Sequence, residues 1–401
     1  MNLENPKKFA MLVEQAHQVA ENVLRPISRK YDKAEHAKPV ELNMLASLLD
    51  GMNEGSGEAV GATSTGSGTS SGSGTGVKNG SNMSAALGIM EMCWGDVGLL
   101  LAMPRQGLGN AAIAAVANEE QLQRFKGKWA AMAITEPGTG SDSANIRTTA
   151  VKDGDHYILN GEKIYVTSGA RADCVVVWAT LDRSLGKAAI KSFVVEHGTP
   201  GMEVTRLEHK LGIKASDTAA ISFADCRVPA ENLLGTAEVD AQKGFAGVMQ
   251  TFDNTRPLVA AMAVGVAKAS LDRTRELLKD HLSADYAHLP MQASYVEATL
   301  DRLEAEWEAA RLLTLKAAWM ADNRQPNSKE ASIAKAKAGR VANEVTLKCV
   351  ELCGAVGYAE TELLEKWARD SKILDIFEGT QQIQLLIVAR RLLGKSSAEL
   401  K

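Results

Sequence analysis

"HYILNGEKIYVT", residues 156–167, alternates apolar and polar side chains on either side of Asn160-Gly161. A period of two is that of a half-buried strand, and Asn-Gly is the strongest short-range hairpin signal. The stretch therefore predicts two strands with a turn at 160–161. Three more runs follow it: "CVVVWATL" (174–181), "IKSFVVEH" (190–197) and "AAISFADCRVP" (219–229). Each is rich in β-branched or aromatic residues and is bounded by turn formers. Together they define a β module over residues 131–235.

On both sides of this module the pattern becomes helical. Upstream, "PKKFAMLVEQAHQVAENVLRPISRKY" (6–31) repeats apolar residues at three and four, and "MSAALGIMEMCWGDVGLLLAM" (83–103) is apolar enough to be buried. Residues 1–130 thus form a helical zone. Within it, residues 51–82 are a Gly/Ser/Thr-rich insertion with too little apolar surface to offset its ordering entropy, and the expected state is a flexible linker. The spacing of a phosphate-binding glycine loop is missing from it. Downstream, residues 236–401 carry four long periodic segments, ending with "TQQIQLLIVARRLLG" (380–394). Helix, sheet, helix is an unusual order, and the fold class it gives is α+β.

Composition removes several functions. The 401-residue chain is 45% hydrophobic and 23% charged, with net charge −4, so no basic field invites nucleic acid. It contains no run of 18 uncharged apolar residues, and its first residues lack the apolar core of a signal peptide. Five scattered cysteines form no CxxC pair, which predicts reduced thiols and a cytoplasmic protein. Seven histidines show no metal-ligand spacing, so no metal site is expected.

Two stretches concentrate chemistry. "ITEPGTGSD" (134–142) is a glycine-containing turn with several backbone N–H groups; it reads equally as a plain connection or as a cradle for a planar ligand. "YVTSG" (165–169) adds an aromatic and a hydroxyl at a strand end. "LDIFEGTQQIQ" (374–384) sets one acid, Glu378, between Phe377 and Gly379 with no basic neighbour within five positions.

Five stretches in order, "AITEPGTGSD", "LNGEKIYVTSGARAD", "KLGIKASDTAAISFADCRVPAENLLG", "FDNTRPLVAAMAVGVAKASLD" and "ILDIFEGTQQIQLLIVAR", make the chain resemble the acyl-CoA dehydrogenase family from about residue 85 to 394. The resemblance implies an N-terminal helical domain, a middle β-barrel or sandwich, and a C-terminal four-helix bundle. It implies FAD as cofactor and an acyl-CoA thioester as substrate, oxidised to the trans-2-enoyl-CoA, with electrons passed to an electron-transfer flavoprotein.

Carried over residue by residue, the likeness implies that Glu378 is the catalytic base and that Arg256 organises the site behind it. Ile134, Thr135, Gly140, Ser141, Tyr165 and Thr167 would hold the flavin ring, and Thr380 and Gln382 its diphosphate and ribitol side. Ser141, Leu100, Leu101, Met103, Phe377 and Gly379 would meet the substrate. Arg105 reads as a surface charge or as a group suited to a polar acyl tail. Some family members carry the base near "FDNTRP"; positions 254 and 255 here are Asn and Thr, which leaves Glu378.

Two departures from the family pattern stand out. The first is in contacts made across a dimer interface: the Arg-x-x-Phe-Gly segment of many relatives is missing from "LKDHLSADYAHLPMQAS" (278–294), and their paired-glycine turn reads "CGAVGY" (353–358). The second is the Gly/Ser-rich insertion at 51–82, where relatives have a shorter connection. A homodimer or homotetramer is expected from the resemblance. The altered contacts keep open a heteromer, a partner subunit with an incomplete flavin site, and a flavin-free acyl-CoA scaffold.

Overall fold

The computed structural model describes residues 7–46, 80–104, 108–239, 246–282, 293–397 and 399–400. Most of the Gly/Ser-rich insertion, Arg105, and the middle of the 278–294 segment lie outside them.

The first helical zone begins with α1 (Ala10–Val19) and α2 (Arg25–Lys33), joined by a π-helical turn at Ala20–Leu24. Helix α3 (Ser81–Gly95) buries Met83, Ala86, Leu87, Met90 and Cys93. Its first turn has no partner of its own, so Asp322 supplies one: the Asp322 carboxylate accepts from the N–H groups of Gly80, Asn82 and Met83 at 2.7–3.0 Å. Short helices α4 (Val97–Leu101), α5 (Leu108–Val116) and α6 (Glu119–Arg124) lead to the β module.

Seven strands then form a single curled sheet: β1 (Ala130–Ala133), β2 (Thr149–Asp153), β3 (His156–Thr167), β4 (Cys174–Thr180), β5 (Ile190–Glu196), β6 (Met202–Leu207) and β7 (Thr218–Pro229). The path runs β1-β4-β2-β3-β7-β6, with β5 added on β4. Strand β4 is buried on both faces, which explains its unbroken apolar run. Val175, Val177 and Ala179 enter one core with Trp129, Leu159 and Phe193. Cys174, Val176 and Trp178 enter another with Ala112, Ile113 and Phe125 from α5 and the end of α6.

The hairpin expected at Asn160-Gly161 is not there. Strand β3 runs straight through both residues, and the turn lies at Gly154-Asp155, where Gly154 has φ 61° and Asp153 pairs with His156. Asn160-Gly161 is instead a bulge against β7. Asn160 exchanges side-chain hydrogen bonds with Asp225, and a Cβ on Gly161 would come within 2.5 Å of Thr148 Oγ1. The glycine answers a close approach between strands, not a reversal of the chain.

The last zone is a bundle of α7 (Ala246–Leu277), α8 (Tyr295–Asp322), α9 (Ser328–Tyr358), α10 (Leu364–Ser371) and α11 (Gln381–Leu393). Helix α7 starts ten residues before Arg256 and carries Pro257 inside it. Alanine is the commonest residue of the bundle core, so the helices pack closely.

One buried polar hub ties the three zones together. Asp96, ahead of α4, accepts from Ser28 of α2 and from Lys366 of α10. Lys366 also binds Asp370, which accepts the backbone N–H of Ile213 from the β module.

Candidate active site

The connection after β1 is held from beneath by an ion pair. Glu136, in the middle of "ITEPGTGSD", is 5% exposed and accepts from the backbone N–H groups of Arg147 and Thr148, from Thr148 Oγ1 and from Lys163 Nζ, all within 2.9 Å. Lys163 also donates to the carbonyl of Ile134, and the Ile164 N–H donates to that of Thr135. Burial would raise the Glu136 pKa, but the Lys163 charge and these hydrogen bonds outweigh it and leave it lowered. The acid of this motif is therefore an anchor. Above it the loop faces open space: Gly138, Gly140 and Ser141 are exposed, and a Cβ on either glycine would touch nothing within 4 Å.

The same lysine stands where the neighbouring strand end becomes irregular. Pairing of β3 with β7 is irregular between Lys163 and Val166, and Tyr165 there adopts φ 57°. Such a backbone costs on the order of 1 kcal/mol for a non-glycine residue. The strain turns the Tyr165 ring outward, where it is 62% exposed, an unusual state for a large aromatic. Thr167, half-buried, closes the strand opposite Thr218. Thus Ile134, Thr135, Gly140, Ser141, Tyr165 and Thr167 belong to two adjoining segments linked by the Ile164–Thr135 backbone hydrogen bond and by the Lys163 side chain.

The second group lies in the bundle. A 3₁₀ turn, Lys372–Asp375, leads to Phe377, which packs against the bundle core, and to Glu378 and Gly379. Both of the latter have left-handed backbones, φ 56° and 89°. Glycine suits such a backbone; glutamate does not, and its presence is a second local strain. The conformation is held by hydrogen bonds to its carbonyls. Gln384 Nε2 donates to Glu378 O and to Gly379 O, each at 3.1 Å, and Lys335 Nζ donates to Gly379 O at 2.7 Å.

The Glu378 carboxyl accepts from Thr255 Oγ1 at 2.9 Å. The residue is half-buried, with its carboxyl turned inward to Thr255. Burial pushes its pKa up, and the Thr255 hydrogen bond and the charges of Arg256 and Lys335 offset this only in part. Arg256 is buried, 3% exposed, on α7. Position 255 thus supplies a hydroxyl that donates to Glu378.

The remaining predicted residues are spread around these groups. Thr380 caps α11, accepting from the Ile383 N–H at 3.4 Å, and Gln382 is exposed on its first turn. Leu100 and Leu101 are half-buried against the bundle core, whereas Met103 is 1% exposed among Leu24, Leu42 and Leu99. In "CGAVGY", Gly354 keeps a left-handed φ of 55° and kinks α9.

Sequence reasoning missed Lys335 and Gln384. The signal for Lys335 was its helical surroundings: Ala331, Ser332, Ala338 and Gly339, three and four positions away, are all small, and a face of small residues is a close-packed face. It also missed a group of three residues of metal-ligand type, Glu35, His36 and His209, whose ligand atoms lie within 4.8 Å of one another. Lys210 and Lys214 act on these residues, so the local charge opposes a cation.

Comparison with known proteins agrees with this architecture. The family described as "Acyl-CoA dehydrogenase, middle domain" matches residues 131–226, and "Acyl-CoA dehydrogenase, C-terminal domain" matches 242–393. The chain is 33% identical to the "Short-chain specific acyl-CoA dehydrogenase, mitochondrial" of Rattus norvegicus, covering 98% of this chain and 92% of that one. Among solved structures it resembles butyryl-CoA dehydrogenase from Megasphaera elsdenii, with TM-score 0.82, 31% identity, and coverage of 98% and 100%. It also resembles a solved chain described under "Electron transferring flavoprotein of Acidaminococcus fermentans", with TM-score 0.81, 32% identity, and coverage of 98% and 100%.

The fold and these matches define a flavin-dependent oxidoreductase. The chain belongs to the acyl-CoA dehydrogenase family. Among the described residues, no helix is long and apolar enough to cross a membrane.

Proposed function

We propose that Glu378 removes the α-proton of a short acyl-CoA thioester as the chain oxidises it to the trans-2-enoyl thioester. The observation that carries this reading is the Glu378 carboxyl itself: it is held on a left-handed backbone, oriented by Thr255, and made more basic by burial. An α-proton is far too weakly acidic for an ordinary carboxylate. A raised pKa brings the base closer to working pH, and an acyl chain entering the site expels further water. A short acyl group accords with the names of the rat and Megasphaera relatives, and an electron-transfer flavoprotein as acceptor accords with the description of the Acidaminococcus chain.

The residues present fit FAD. The outward Tyr165 ring, the open Gly138–Ser141 turn and the buried Thr139 hydroxyl, which has no hydrogen-bond partner among the described residues, offer a flat apolar contact beside polar donors. Ile134, Thr135, Gly140, Ser141, Tyr165 and Thr167 would hold its ring. Thr380 and Gln382, at the positive end of α11, would meet its diphosphate and ribitol. Bound flavin supplies the acceptor for the β-hydride. Arg256 keeps positive charge near Glu378, and Leu100, Leu101, Phe377, Gly379 and Ser141 would line the thioester's path, with Met103 packed beneath.

Glu378→Gln tests the base. The variant keeps the shape and the Thr255 contact, so bound flavin absorbance should persist while kcat falls by about 10²–10⁴-fold or more. Turnover near the unaltered rate sinks the reading. The kcat/KM of the unaltered enzyme should rise with pH through a pKa above the ordinary carboxylate range, because Glu378 must be ionised to act.

A further inference from the structure

Lys335 is fully buried, yet among the described residues it makes no ion pair. A buried ammonium is costly, and buried lysines ordinarily face a carboxylate. Lys335 instead directs its Nζ to a backbone carbonyl, Gly379 O, at 2.7 Å, one residue beyond the proposed base. Gln384 binds that carbonyl and the preceding one. The two side chains come from different helices and converge on a peptide that the backbone alone would not adopt.

We infer that Lys335 is a positioning residue for Glu378: it pins the Gly379 carbonyl, holds the left-handed turn that aims the carboxyl, and sets its charge beside that carboxyl. This rests on the reading of Glu378 as the base. The charged groups that face the pair come from two elements, Arg256 from α7 and Asp375 from the 3₁₀ turn. Burial lowers the Lys335 pKa to about 8, with Asp375 and Glu378 resisting the fall. Lys335 is therefore mostly charged at neutral pH, and its charge holds the Glu378 pKa below where burial alone would leave it.

Two variants separate its two effects. Lys335→Met removes donor and charge. It should lower kcat about 10–10²-fold, the scale of a small misplacement of a catalytic group, with KM little changed. It should also move the acid limb of kcat/KM upward by about one pH unit, since Glu378 loses an attracting cation. Lys335→Gln keeps a donor but not the charge, so the limb should still move while the loss of kcat is smaller. A purely structural lysine would lower the melting temperature and leave the pH profile in place.

Glu378→Gln is assayed alongside. If that variant retains turnover, the base assignment falls, and the role of Lys335 falls with it. If it is dead while both Lys335 variants keep the unaltered kcat and acid limb, the inference about Lys335 alone is overturned. If neither Lys335 variant folds, the lysine is a strut of the bundle, and the inference is overturned equally.

Discussion

Glu136 in the β module and Glu378 in the bundle are built from the same parts, an acid, a threonine and a buried lysine, and end with opposite character. Four donors converge on Glu136: two backbone N–H groups, the Thr148 hydroxyl and the Lys163 ammonium. Glu378 accepts from Thr255, and its nearby lysine is turned away to a carbonyl. Burial acts on both acids. Only at Glu136 do the donors and the Lys163 charge overcome it, so its pKa falls while that of Glu378 rises. The difference teaches that burial alone does not make a base. The number of donors given to the charged form decides whether a buried acid is an anchor or a reagent.

A third lysine extends the comparison and carries the largest expected loss of stability. Lys366 lies between two buried acids, Asp96 and Asp370, and their charges outweigh desolvation and raise its pKa. Removing it strands two carboxylates at the junction of all three zones. Lys366→Met should cost about 3–5 kcal/mol, read as a shift of the urea unfolding midpoint. A cost below about 1 kcal/mol would mean that these acids are neutral in the native protein, and the counting of donors would fail there.

Lys163→Met comes next. Glu136 would keep three of its four donors, so the expected cost is about 2–3 kcal/mol. pH sharpens the case. The folded Lys163 has its pKa lowered to about 8, below the value of about 10.4 for an unfolded lysine. Between these values the unfolded chain holds more protons, so the unaltered protein gains stability as pH rises from about 8 towards 10. The variant lacks that gain. Its deficit relative to the unaltered protein should therefore widen over this window, and a deficit that narrowed would show that the ammonium is better solvated in the fold than its burial implies.

How much of this was legible in the sequence depends on distance along the chain. Glu378 was legible because its motif is local and its isolation among apolar residues is visible in eleven letters. Helix, sheet, helix was legible from period alone. The partners were not. Lys335 and Lys337 look alike in "ASIAKAKAGR", yet one is fully buried and the other is half-buried and pairs with Glu306. The small residues at three and four positions from Lys335 were the available hint. Gln384 stands six residues from Glu378 and reads as an ordinary helix amide; only the reversal of chain at Gly379 brings it back. The outward Tyr165 was legible as an aromatic at a strand end, but its left-handed backbone arises from a mismatch with β7, more than fifty residues away.

Asn160-Gly161 is where local reading failed, and it yields the smallest predicted effect. If the pair formed a turn, the asparagine backbone would be essential and its side chain incidental. In the bulge the reverse holds: the Asn160 side chain accepts from the Asp225 N–H at 2.8 Å and donates to its carboxylate at 3.2 Å, supporting a left-handed Asp225 at φ 49°. Both bonds are exposed, so water replaces them at little cost. Asn160→Ala should lower stability by about 0.5–1 kcal/mol in urea unfolding. Gly161→Ala should cost more, because its added carbon would collide with Thr148, whose hydroxyl and N–H both serve Glu136. If the asparagine variant proved the more damaging of the two, the bulge would be held by its surface bonds, and the buried Glu136 anchor would lose its place as the support of this end of the module.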